Sequence, residues 1–214
     1  PGAGNASAGV HGAMQDGTPM ILFVGQSARG HRDRIAFQEV DYRAMFGGLA
    51  KWVTEVDQTE RLPELIAHAW REATSGGGGP VVVALPEDML SGSVAVADVP
   101  TPVSAHVPDY TGVAAALGDW IAQGTRPLVV LGGSGWSEAA SAEAIRFAEA
   151  QGLPVAVAFR RQDYVDNRHP HYVGDLNVGM SPSLKARLGE VDRILALGAR
   201  LGEIETVVYT ALNP

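Results

Sequence analysis

Apolar residues along this chain follow two alternating patterns. Short continuous runs, such as Met20-Ile21-Leu22-Phe23-Val24, Val81-Val82-Val83 and Leu128-Val129-Val130-Leu131, are bounded by Gly, Pro or Ala. Runs of this length with no polar interruption belong to strands covered on both faces, as in a parallel sheet. Between them lie stretches with helical spacing. Leu62, Leu65, Ile66, Ala69 and Trp70 make one apolar face; Pro63 falls in the first turn, where its missing amide costs little, and the glycines of 76–79 end the helix. In order, the pattern predicts a strand over 20–24, a strand over 52–56, a helix over 61–74 and a strand over 80–85. A helix over 111–122, a strand over 127–131, a helix over 138–149 and a strand over 154–159 follow. After a long loop come a short helix over 184–188 and a strand over 193–197. Strand–helix–strand order with connections of this length implies right-handed parallel crossovers, hence an α/β fold of two Rossmann-like parallel-sheet domains.

Periodicity is lost between Leu90 and Asp109, where Pro100, Pro102 and Pro108 stiffen an extended connection. The predicted organisation is a domain over 1–90, a linker over 91–109 and a domain over 110–214. With 46% hydrophobic residues in 214 there is material for the cores of one to two domains. The net charge of −8, with 16 scattered basic residues against 24 acidic ones, argues against a nucleic-acid partner, which needs a clustered basic face. Helix N-termini and backbone amides still leave anionic cofactors open. The absence of cysteine excludes disulfides, thiolate catalysis and cysteine zinc sites. No apolar run approaches the roughly 20 residues of a membrane span and there is no secretory leader, so a cytoplasmic protein with no membrane partner is expected. His169 and His171 flank Pro170, which prevents the helical spacing of a zinc pair; they read as loop histidines, and no metal site is predicted within the chain.

Three motifs carry candidate chemistry in the first half. Pro1-Gly2-Ala3-Gly4-Asn5 reads as a glycine turn in which Asn5 caps a helix of small residues. Such a turn normally follows a strand, so the expectation is of a chain that begins mid-domain. Gly25-Gln26 ends a predicted strand, where open α/β sheets bind ligands. Ala36-Phe37-Gln38-Glu39 reads as a loop-to-helix entry after a polar loop with Arg29, His31, Arg32 and Arg34. Each has a bland alternative: a helix cap, an exposed strand-end amide, and a core Phe beside helix-surface Gln and Glu. In the second half, Gly132-Gly133-Ser134-Gly135 lies between strand and helix without the dinucleotide spacing, and Gly198-Ala199-Arg200 follows the last strand.

In this order the motifs resemble the second half of the pyrimidine-binding domain, then the central domain, of thiamine-diphosphate enzymes of the acetolactate synthase type. There a Gly-Pro-Gly-Ala-Thr-Asn-Ala turn, a Pro-plus-apolar strand, a Gly-Gln step and an Ala-Phe-Gln-Glu box recur; Gly4 stands in place of the usual Thr. The resemblance implies thiamine diphosphate as cofactor, touched by Pro1, Gly2, Asn5 and Gln26, with Phe37 and Gln38 as catalytic residues on the substrate side. It implies decarboxylation and carboligation of a small 2-oxo acid in a homodimer or homotetramer. Gly132, Gly133, Gly198, Ala199 and Arg200, with Gly174-Asp175-Leu176-Asn177, occupy places where flavin-containing relatives meet FAD, which leaves FAD open as a second cofactor. The family's cofactor-activating glutamate is expected before Pro1, and its Mg2+-binding Gly-Asp-Gly motif with a downstream Asn after Pro214; Gly174-Asp175-Leu176 is not that motif. The chain by itself is therefore expected to be an inactive fragment. The alternative reading is a non-catalytic protein that holds ADP, FAD or CoA on its glycine loops.

Overall fold

A computed structural model describes residues 1–100, 102 and 109–212. The chain divides into two units, Pro1–His106 and Val107–Pro214, each built on its own parallel sheet.

The first unit comprises α1 (Gly2–Asp16), β1 (Met20–Gln26), α2 (Tyr42–Phe46), β2 (Trp52–Glu55), α3 (Leu62–Thr74), β3 (Pro80–Pro86) and α4 (Glu87–Leu90). Its strand order is β1-β3-β2, with Met20 beside Pro80 and Trp52 beside Val81. The central strand β3 is buried on both faces, as its unbroken apolar run predicts. Val81 and Val83 pack with Leu65, Ala69 and Ala73 of α3 and with Met89 of α4. Val82 and Ala84 pack on the other face with Val10 of α1 and with Tyr42 and Phe46 of α2. Lys51 closes the end of α3 by donating from Nζ to the carbonyl of Ser75 at 2.7 Å.

Two expectations for this unit are corrected. Asn5 is not an N-cap: α1 is already helical from Gly2, and the Asn5 amide donates to the Pro1 carbonyl at 3.0 Å. Packing of Ala3 and Val10 in the core overrides the poor helix propensity of the glycines, so the predicted turn is absorbed into the helix. Ala36-Phe37-Gln38-Glu39 is not a helix entry but a tight turn, closed by the Glu39 amide on the Ala36 carbonyl at 3.1 Å. Helix α2 starts later because Asp41 is the better cap; its carboxylate accepts from the Ala44 amide at 3.0 Å.

The second unit comprises α5 (Thr111–Ala122), β4 (Pro127–Leu131), α6 (Glu138–Gln151), β5 (Val155–Ala158), β6 (Tyr172–Leu176), α7 (Pro182–Glu190) and β7 (Arg193–Leu197), with strand order β6-β5-β4-β7. Here β4 is buried from Leu128 to Leu131, and β5 beside it is buried throughout. Val129 and Leu131 face Ile121, Ala144 and Ala148, whereas Leu128 and Val130 face Leu176, Leu184 and Leu188. Strand β6 lies where the pattern predicts only loop. Gly174 and Asp175 interrupt its apolar run, and an edge strand tolerates this because it is covered incompletely. Helix α7 exceeds its predicted span because Ser181 caps it, accepting from the Leu184 amide at 3.3 Å. In the predicted linker, Pro100 and Pro102 lie outside helix and strand, and Pro108 falls outside the described residues, as do Asn213 and Pro214. No helix among the described residues is long and apolar enough to cross a membrane.

Asp192 joins the turn before β7 to the turn before β4. Its carboxylate accepts from the Thr125 amide at 2.7 Å, the Thr125 hydroxyl at 2.9 Å and the Arg126 amide at 3.0 Å. These bonds, that from the Thr125 amide foremost, hold its carboxyl below the usual carboxylate range. A depressed folded-state value stabilises above the unfolded value and is lost as pH falls through the folded one. Urea unfolding at pH 7 and below pH 3 is expected to show that Asp192→Asn lowers stability at neutral pH and weakens the acid dependence; equal curves at both pH values would contradict this.

Candidate functional site

The carboxyl ends of β1 and β3 lie side by side, with Gly25 beside Leu85 and Gln26 beside Pro86. Above them opens a cleft of about 720 Å³. Pro1 and Gly2 line it from the start of α1, Gln26 from the end of β1, and His31, Phe37 and Gln38 from the loop between β1 and α2. Five predicted site residues, Pro1, Gly2, Gln26, Phe37 and Gln38, thus converge although they are spread over the first 38 positions. Asn5 does not join them; it is exposed on α1, outside the cleft lining.

The residues within the cleft differ in what their side chains are free to do. Gln26 is 9% exposed, and both ends of its amide are used. Its Nε2 donates to the Val40 carbonyl at 2.7 Å and its Oε1 accepts from the Ser27 amide at 3.0 Å. It is a strut between β1 and the loop, not a free arm. Phe37, by contrast, is 89% exposed, and Gln38 beside it has φ 61°. The foot of the loop is tied down by Arg29, whose amide and Nε donate to Asp88 at 3.0 and 2.9 Å. The Arg29 amide and then its guanidinium hold the Asp88 carboxyl below its usual range. Arg32 pairs with Glu55, and the Tyr42 hydroxyl donates to the Gly25 carbonyl at 3.1 Å. Sequence reading missed Asp88, Glu87 and Leu90. The rule that singles out Gln26, position at the carboxyl end of a parallel strand, applies equally to the residues after β3.

The glycine loops of the second unit serve packing. The Gly132 amide donates to the Leu197 carbonyl at 3.1 Å, and Leu131 pairs with Gly198. A Cβ on Gly132 would lie 2.7 Å from the Ala199 Cβ, and one on Gly133 only 2.3 Å from the Gly198 carbonyl oxygen. The two loops therefore approach backbone to backbone. Trp136 and Tyr164 cover them: Nε1 of Trp136 donates to the Gly132 carbonyl and the Tyr164 hydroxyl to the Gly133 carbonyl, both at 2.8 Å. Burial pushes the Tyr164 phenol up, which keeps it a donor. Ala199 packs in the core with Leu176 and Leu184, and Arg200 is exposed at the end of its loop. Asp175 accepts from Gln162 at 2.7 Å and from Asn177. His171 is bonded to the Leu153 carbonyl at 2.8 Å and His169 to Glu149 at 3.1 Å, so this pair secures the loop.

Two parallel-sheet units, the first with an open cleft at its strand ends, define an α/β chain of the kind that holds a cofactor at the carboxyl edge of a sheet. The family model described as the N-terminal TPP binding domain of thiamine pyrophosphate enzymes matches residues 1–45, and that of their central domain matches residues 114–214. Together these matches take in well over half of the chain, which belongs to the thiamine pyrophosphate enzymes. It is 28% identical over 95% of its length to a probable acetolactate synthase large subunit of Methanocaldococcus jannaschii, covering 36% of that protein. It is 28% identical over its whole length to the acetolactate synthase isozyme 2 large subunit of Escherichia coli, covering 39% of it. A sulfoacetaldehyde acetyltransferase of Rhodobacter capsulatus is also 28% identical, over 97% of the chain and 35% of that protein. The chain thus spans a little over a third of the length of these relatives.

The cleft fits one half of thiamine diphosphate. Aromatic side chains, the Gln38 amide and open space at Gly25 suit a neutral heterocycle. The diphosphate half does not fit, because the lining holds no Lys or Arg and no group of three metal-binding side chains occurs among the described residues.

The packing role of the second-unit glycines has a direct check in thermal or urea unfolding. Gly133→Ala is expected to cost about 3 kcal/mol, because a left-handed backbone and a backbone clash coincide (φ 75°). Gly135→Ala, with φ 83° but open space around it, should cost only about 1–2 kcal/mol. Equal costs would remove the close approach as the reason for Gly133.

Proposed function

We propose that this chain supplies the pyrimidine side of a thiamine-diphosphate site in an enzyme that decarboxylates a small 2-oxo acid and joins the remainder to a second carbonyl compound. The carrying observation is the convergence of Pro1, Gly2, Phe37 and Gln38 on one cleft at the ends of β1 and β3. The acetolactate synthase and acetyltransferase names of the relatives support the reaction class. Bound thiamine diphosphate supplies a carbon nucleophile for 2-oxo acids. The chain's own part is to seat and shield: Pro1 and Gly2 bring backbone to the heterocycle, Phe37 keeps water away, and the Gln38 amide orients the substrate without offering it an acidic proton. Gln26 supports this wall from behind rather than touching the cofactor.

On this reading the division is a pyrimidine-side domain over 1–90, a linker over 91–109 and a central domain over 110–214. Mg2+ and the diphosphate are held by residues outside this sequence, as is the activating glutamate. A second subunit closes the cleft, which the exposure of Phe37 supports, so the assembly is a homodimer or homotetramer. Nucleotide binding by the second unit, whether FAD, ADP or CoA, is not favoured, because Gly132, Gly133 and Gly198 are taken up in loop packing.

The test uses the protein that carries this chain, with thiamine diphosphate, Mg2+ and pyruvate. Phe37→Ala and Gln38→Ala are each expected to lower kcat/KM at least about tenfold, while Val178→Ser at an exposed site on the second unit leaves it unchanged. Thiamine diphosphate at about 100 times its dissociation constant should stabilise the protein by about 2.7 kcal/mol. No stabilisation together with no turnover of any 2-oxo acid would overturn the reading.

A further inference from the structure

The loop that carries Phe37 and Gln38 has a conformation its own side chains do not favour. Asp33, Ile35 and Gln38 have φ of 60°, 59° and 61°. Outside glycine this left-handed region is disfavoured, and the β-branched Ile35 is poorly suited to it. Burial does not offset the cost, because Ile35 is 99% exposed and Phe37 89%. The struts at Arg29 and Arg32 hold the foot of the loop, not its tip.

At the tip stands Glu39. Its Oε1 accepts from the Asp33 amide at 2.7 Å and its Oε2 from the Ala36 amide at 3.1 Å, while its own amide closes the turn on the Ala36 carbonyl at 3.1 Å. One carboxylate thus grips the backbone on both sides of Ile35. Hydrogen bonds to a charged acceptor are about twice as strong as neutral ones. Both oxygens are needed. A glutamine keeps one bond and turns an N–H2 group toward the other amide, and an aspartate is one methylene too short to bridge them.

We propose that Glu39 is a positioning residue: its carboxylate clamps the loop of residues 33–38, with its left-handed positions at 33, 35 and 38, so that Phe37 and Gln38 face the cleft. This rests on the reading of that cleft as the cofactor and substrate site. Glu39 touches neither group and acts through the backbone. The clamp makes the cleft wall a polar construction, so its shape survives without the apolar packing that normally holds a Phe in place.

The experiment compares Glu39→Ala and Glu39→Gln with the parent in the full protein. Three readouts are followed: amide hydrogen exchange over 33–36, tryptic cleavage after Arg34, and kcat and KM for pyruvate. Glu39→Ala is expected to raise exchange and cleavage about tenfold and to lower kcat/KM about tenfold, mainly through kcat, with the thermal midpoint nearly unchanged. Glu39→Gln should fall between. Ile35→Asn, which accepts a left-handed backbone more readily, should restore part of both effects in the Glu39→Gln background. Unchanged exchange and cleavage would overturn the clamp. So would faster exchange with unaltered kcat/KM, in a protein where Phe37→Ala does lower it. If Phe37→Ala has no effect, the reading of the cleft falls, and exchange and cleavage alone decide whether Glu39 clamps the loop.

Discussion

Each unit hangs on one strand whose alternate side chains seed two cores. In β3, Val81 and Val83 point to α3 while Val82 and Ala84 point to α1 and α2; in β4, Val129 and Leu131 oppose Leu128 and Val130 in the same way. A strand period of two turns one apolar run into two opposite buried faces, so helices must cover both sides of the sheet. Burying each such Val or Leu contributes about 1.5–3 kcal/mol. The parallel registry of β1 with β3 then brings two carboxyl ends together, and the loop that leaves β1 carries Ile35 and Phe37 exposed rather than packed in the core. The cleft is what remains once the core has been satisfied.

Its walls are accordingly held by polar groups. Gln26, the Arg29–Asp88 pair and the Tyr42 hydroxyl each tie a strand end or loop to a neighbour. Exposed ion pairs contribute only about 0–1 kcal/mol to stability. Their effect here is geometric, for they determine where a loop with two apolar residues in water comes to rest. A site assembled in this way keeps Phe37 available as a contact surface instead of consuming it in the core.

The second unit shows the same elements put to another use. Its glycines sit after β4 and β7, at the place where a nucleotide would approach an open α/β sheet. They are occupied by each other: the carbonyl of Gly198 lies where a side chain on Gly133 would need to be, and Trp136 and Tyr164 cap the Gly132 and Gly133 carbonyls. A glycine-rich loop is written identically in sequence whether its missing side chains admit a ligand or a neighbouring backbone.

The sequence alone determined the α/β class, the central strands and the order of most elements, because burial on both faces leaves an unbroken apolar run that local reading detects. It also pointed to Phe37 and Gln38, which the fold brings to the cleft. The edge strand β6 and the start of α1 escaped it, since an edge strand has weaker apolar demands and the glycines at the start of α1 read as a turn until core packing makes them helical. Only the tertiary structure decided that Gln26 is a strut and Asn5 lies apart, that Asp88 and Glu39 secure the loop, and that the second-unit glycines pack against each other. A hydrogen bond across 59 residues, as between Arg29 and Asp88, leaves no periodic trace in the chain. Hydrophobic patterning is local and repeats along the sequence, whereas a polar partner is chosen by position in space.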